Sequence, residues 1–161
     1  MKKLLFIFFG FLFIFINANS KTTTSNDFEN VDYKKFYILE NNKVKYLSKK
    51  QIRNIWENQL KEQGQFVKLK NFEILTSTDE NNQLFYFLKS QSNDKTISIG
   101  AFFTKTEFGF LLADKTCSCA GCTDGCNLST FGNNCRCSSC MGPGTNECKK
   151  TESITIKSSF D

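Results

Sequence analysis

The chain has 161 residues and a formal charge of +5, with 8 Cys, 18 Phe, 1 Pro and no His. The absence of His excludes Ser-His and Cys-His nucleophile pairs, an imidazole general base and any Cys₂His₂ zinc site. The length suits one modest domain with attachments.

Residues 1–20 begin with Lys2 and Lys3, continue as an apolar run from Leu4 to Ile16, and end in Asn17-Ala18-Asn19-Ser20. A basic start, an apolar centre and small residues before a cleavage point form the plan of a secretory signal peptide, here cut after Ser20. An apolar run of 13 residues falls short of the roughly 20 that a membrane-spanning helix needs. The expected location is therefore exported: secreted, periplasmic or at the cell surface, with no membrane span after cleavage. Losing two lysines leaves a charge of +3 with no dense basic cluster interleaved with aromatics. No nucleic-acid partner is expected; an extracytoplasmic protein or surface ligand is.

Residues 21–30 are Ser, Thr, Asn and charge around a lone Phe28 and read as a flexible linker. Residues 31–114 form the expected small α+β sheet domain. Lys35–Leu39 and Val44–Leu47 flank Asn41-Asn42, the pattern of a β-hairpin. Ser48 with Gln51 makes a capping box, Leu47 and Ile52 can staple across it, and Gly64 stands where a left-handed residue ends a helix. The spacing predicts a helix over 49–63 with Ile52, Ile55, Trp56 and Leu60 on one face. Four strand-like runs follow, Phe66–Leu75, Leu84–Lys89, Thr96–Phe103 and Glu107–Leu112, joined by short turn-rich connections. Short connections imply antiparallel neighbours, so one amphipathic helix packs on a β-meander in the order ββαββββ. In outline this element order is similar to the cystatin-like and nuclear-transport-factor-like architectures.

No catalytic constellation emerges, and no enzymatic activity is expected. Ser92-Asn93-Asp94-Lys95 matches Ser-x-x-Lys but falls in a predicted hairpin turn, without the helix start and companion motifs that chemistry needs. Glu73, Glu107 and Asp114 have no spacing that selects an acid/base pair.

Residues 115–150 are a turn-rich module holding all the cysteines: Cys117, Cys119, Cys122, Cys126, Cys135, Cys137, Cys140 and Cys148. The spacing C-x-C-x₂-C-x₃-C recurs as C-x-C-x₂-C-x₇-C, with three offsets of 18 and a fourth of 22, which marks an internal duplication. Leu128, Phe131 and Met141 are too few apolar residues to hold such a segment by burial, so cross-links must do so. In an exported protein these are disulfides, and eight cysteines allow 105 pairings among which the sequence does not choose. Closing a C-x-C ring strains the disulfide torsion, so Cys117 and Cys119, like Cys135 and Cys137, need separate partners.

The alternative is thiolate ligation of Zn or Cu(I) by the same eight residues, a spacing that resembles metallothionein-type clusters. Cys119-Ala120-Gly121-Cys122 and Cys137-Ser138-Ser139-Cys140 are C-x-x-C pairs, but neither precedes a helical pattern that would stabilise a redox thiolate. Asn127-Leu128-Ser129 is a glycosylation sequon. Residues 151–161 form a C-terminal strand and tail, with strand-like alternation from Ser153 to Lys157. The combined expectation is an exported, disulfide-stabilised binding protein that displays the loops Asn127–Asn134 and Met141–Glu147.

Overall fold

The computed structural model describes residues 32–140 and 147–154. The expected signal peptide and linker, most of the Met141–Glu147 loop and the end of the tail lie outside the described residues.

Asn41 and Asn42 both take positive φ, 51° and 59°, the conformation that a two-residue hairpin loop requires and that Asn tolerates better than most residues. They join β1 (Phe36–Glu40) to β2 (Lys43–Tyr46) in an antiparallel pair. The helix α1 (Lys49–Glu62) starts as the sequence predicts: Gln51 N–H donates to Ser48 Oγ, and Ser48 N–H donates to the Gln51 side chain at 2.8 Å. At its other end Gly64 sits at φ 79°, with Gly64 N–H bonded to Lys61 O and Gln65 N–H to Leu60 O. These two bonds form the Schellman closure that satisfies the last carbonyls of a helix.

After α1 come β3 (Leu69–Thr78), β4 (Leu84–Ser92), β5 (Ser98–Thr106) and β6 (Gly109–Ala120), an antiparallel meander as the short turns dictate. β1 then joins β6 in parallel, through Phe36 opposite Phe110 and Tyr37 opposite Leu111, which makes the sheet mixed, in the order β2-β1-β6-β5-β4-β3. The connection between them contains the whole meander, so local turn signals do not reveal this pairing. One face of the sheet buries α1 through Ile52, Trp56 and Leu60 packed with Phe36, Phe72, Leu88, Ile99 and Phe103. Fold class is therefore α+β. Among the described residues no helix is long and apolar enough to cross a membrane.

β6 runs on as a strand through residues 114–115, where the sequence suggested a boundary, with a bulge against β5 between Leu112 and Thr116. Thr116 and Ser118 point to the helix face, where Ser118 Oγ donates to Gln63 Oε1 at 3.2 Å, and Cys117 and Cys119 occupy the opposite face. The cysteine segment thus begins inside the main sheet. It continues as the two-stranded hairpin β7 (Leu128–Phe131) and β8 (Asn134–Cys137). It closes with β9 (Lys149–Ile154), antiparallel to the C-terminal half of β6 from Lys115 to Ala120. β9 starts at Lys149, inside the expected module, and overlaps the expected Ser153–Lys157 strand at Ser153 and Ile154; residues 155–157 lie outside the described residues. Because β5 lines the other side of β6, β1 and β9 share one flank of that strand.

Candidate functional site

The sheet face opposite α1 is covered by cystines. Cys117 bonds Cys135, Cys119 bonds Cys137 and Cys122 bonds Cys140, each across 18 residues, while Cys126 bonds Cys148 across 22. Each cysteine of the first repeat is joined to its counterpart in the second. The C-x-C residues take separate partners, and neither C-x-x-C pair closes on itself. No cysteine is free, so in this state no sulfur is a thiolate ligand. Phe87, Leu128 and the sulfurs make a second core, with Leu75 and Phe102 against it. Burial of cystine sulfur supplies here the apolar cover that the segment's sparse side chains do not.

The β7–β8 hairpin lies across this face. Cys135 and Cys137 on β8 tie it to Cys117 and Cys119 on β6. Its tip is held as well: Gly132 N–H donates to Thr78 O at 3.2 Å, and Ser77 Oγ donates to Gly132 O at 3.0 Å. Gly132 has φ 55°, and a Cβ there would lie 3.1 Å from Asp79 Cβ. The loop Asn127–Asn134 is therefore a hairpin clamped to the sheet, and its exposed surface is narrower than free display would give.

A groove of ≈ 320 Å³ runs between β7 and the β3–β4 surface, lined by Glu73, Leu75, Lys89, Asn127, Thr130 and Phe131 among others. Its floor is polar. Lys89 is buried, and its Nζ donates to Asn127 Oδ1 at 2.6 Å. Burial pulls the Lys89 pKa below the ordinary lysine value, while the carboxylate of Glu73, directly opposite on β3, pulls it back up. At the far end Arg136 stacks over Phe131, 4.8 Å from the ring centroid.

β7 forms the groove's upper wall, its edge covered at Leu128, which is buried, and accessible at Thr130. Ser138 N–H donates to Asn127 O at 2.9 Å, which makes 127/138 a hydrogen-bonded pair. Antiparallel alternation then turns the N–H and C=O of Leu128 and Thr130 away from β8. Among the described residues β7 has no strand on that side.

The other sequence candidates are dispersed. Glu73 stands on β3 and Asp114 on β6, with β4 and β5 between them, about 14 Å of sheet, and Glu107 lies in the β5–β6 turn. Asp94 of the Ser-x-x-Lys match accepts from Ser92 Oγ at 2.5 Å and from Thr96 N–H at 3.1 Å. Those bonds, with one from the Thr96 hydroxyl, hold its carboxyl below the usual range. The motif is the β4–β5 turn, and Lys95 O receives the Cys126 N–H, so the turn buttresses the cystine layer. Asn127 of the sequon is exposed, with its side-chain oxygen engaged by Lys89. Lys89 was not singled out from the sequence. Its signal was there in the alternation Phe85, Phe87, Lys89, which places a cation on an otherwise apolar strand face.

Comparison with protein-family models, curated proteins and solved structures finds no match in any of the three.

Proposed function

We propose that this chain is an exported binding protein without enzymatic activity, and that its contact surface is the groove along β7. The observation that carries the reading is an unpaired strand edge over a polar floor, on a hairpin fixed by two disulfides at its base and two hydrogen bonds at its tip. Rigid placement of the edge lowers the entropy lost on association. The outward N–H and C=O of half-buried Thr130 suit an extended peptide segment laid along β7, and Lys89 with Glu73 offers both signs of charge to its polar groups. Four disulfides fit an oxidising compartment outside the cytoplasm.

The test is a titration of the oxidised, ¹⁵N-labelled protein with a panel of short extended peptides, read by amide chemical shifts. The expected shifts concentrate at Ser129, Thr130 and the neighbouring β3 amides. Thr130→Pro removes an outward N–H without touching the β8 ladder and is expected to abolish the shifts while preserving the folded spectrum. Shifts confined to another surface, or unchanged binding by folded Thr130→Pro, would sink the assignment.

A further inference from the structure

Two of the four disulfides converge at one corner of the cystine layer, next to the start of β7. The sulfurs of Cys122, Cys126 and Cys148 are buried and lie within 4.8 Å of one another, with Cys122 Sγ 2.9 Å from Cys148 Sγ. Cys140, bonded to Cys122, supplies a fourth sulfur at the same place. The other four cysteines are strung along β6 and β8, and among the described residues they form no such group.

We propose that this corner has two interchangeable closures: two disulfides when oxidised, and one tetrahedral soft cation, Zn²⁺, held by Cys122, Cys126, Cys140 and Cys148 when those disulfides are reduced. A zinc ion about 2.3 Å from each of four sulfurs spaces them about 3.8 Å apart. The three clustered sulfurs already lie within 4.8 Å of one another, and the bonded pairs reach the tetrahedral spacing by side-chain rotation over Cα–Cα distances of 5.5 and 5.8 Å. Donors to the sulfurs are already placed. Cys122 N–H points at Cys126 Sγ at 3.4 Å, and Ser138 Oγ lies 3.7 Å from Cys148 Sγ; such contacts steady thiolate charge around a metal. The distal cystines Cys117–Cys135 and Cys119–Cys137 continue to hold β8 on the sheet, so the site stays assembled.

The chemistry balances with a dithiol as reductant. Each cystine takes up two electrons and two protons as one dithiol closes to its cyclic disulfide, and Zn²⁺ then displaces four protons, one from each thiol. The inference does not rest on the peptide-binding reading, and its test reads bound metal and thiol labelling with no peptide present.

The experiment reduces the full exported chain stepwise with a dithiol, removes the dithiol anaerobically, and adds Zn²⁺ alone. Native mass spectrometry is expected to find one ion per chain, and alkylation of the zinc-loaded protein is expected to spare Cys122, Cys126, Cys140 and Cys148. Co²⁺ in place of Zn²⁺ is expected to give the absorption of a tetrahedral thiolate site. The double variant Cys122→Ser/Cys140→Ser is expected to lose the ion and Cys117→Ser/Cys135→Ser to keep it. If the latter does not fold, the alkylation map of the wild-type chain decides alone. No bound metal at any stage of reduction, or metal held equally by all eight cysteines, would overturn the proposal.

Discussion

Gly100 on β5 is where the cystine face tolerates least. It stands between Lys89 on β4 and Cys117 on β6, and a Cβ there would lie 2.2 Å from Phe87 Cε1 and 2.5 Å from Leu88 O. The Phe87 ring takes the space that a side chain would fill. Gly100→Ala is expected to cost about 1–3 kcal/mol, the range of overpacked cores, measured by urea denaturation under oxidising conditions. Gln59 on α1 shows the opposite fault: it is buried, and among the described residues neither its Nε2 nor its Oε1 has a hydrogen-bond partner. Gln59→Met removes two desolvated polar atoms at similar volume and should stabilise by about 1 kcal/mol; a loss of stability in the same denaturation assay would refute this account of the site.

Lys89 makes a pH prediction at the same scale. Burial lowers its folded-state pKa, against the pull of Glu73, so above that value the unfolded chain holds the proton more tightly than the folded one. Its destabilising effect is present in full at neutral pH and fades as pH rises through the folded value towards the ordinary lysine value. Denaturation midpoints should therefore climb on the alkaline side, and Lys89→Met should flatten that climb. An identical pH profile in the variant would mean that another group causes it.

Among the elements, those with local causes were the legible ones. Ser48, Gln51 and Gly64 mark α1 to within a residue of its end, and Asn41-Asn42 marks the first hairpin. β6 was only half visible. Its second half, Lys115-Thr116-Cys117-Ser118-Cys119-Ala120, alternates small polar residues with Cys and buries both faces, and without branched or aromatic residues its cysteines read as the start of a turn-rich module. The cysteine pairing was equally hidden. Repeat offsets of 18 describe the chain's history, and only the placement of β8 over β6 converts them into bonds. The groove needed both, since its walls are 38 residues apart at Lys89 and Asn127. Removing one base clamp, with Cys119→Ser and Cys137→Ser together, is expected to cost about 3 kcal/mol for a loop of this size. Thermal unfolding of the double variant checks it, and a change under 1 kcal/mol would show that the tip bonds to β3 suffice.

At the scale of the molecule, one sheet serves two cores of different chemistry. The helix side is aliphatic and aromatic; the other is cystine sulfur with Phe87, Leu75 and Phe102. The two stand back to back through β4, β5 and β6, so loss of the sulfur layer uncovers aromatic side chains while leaving α1 its partners. Full reduction should raise binding of a hydrophobic dye while most helical circular dichroism remains.

The pairing of first with fifth, second with sixth, third with seventh and fourth with eighth cysteine has one more outcome. Every peptide bond between Cys117 and Cys148 is spanned by at least one disulfide, and every bond between Cys126 and Cys135 by all four. A protease that cuts once in this segment, including the exposed turn of the β7–β8 hairpin, adds two chain ends but releases no fragment. The protein can be nicked where it is most accessible and remain a single covalent molecule, and its two pieces separate only when the sulfurs are reduced.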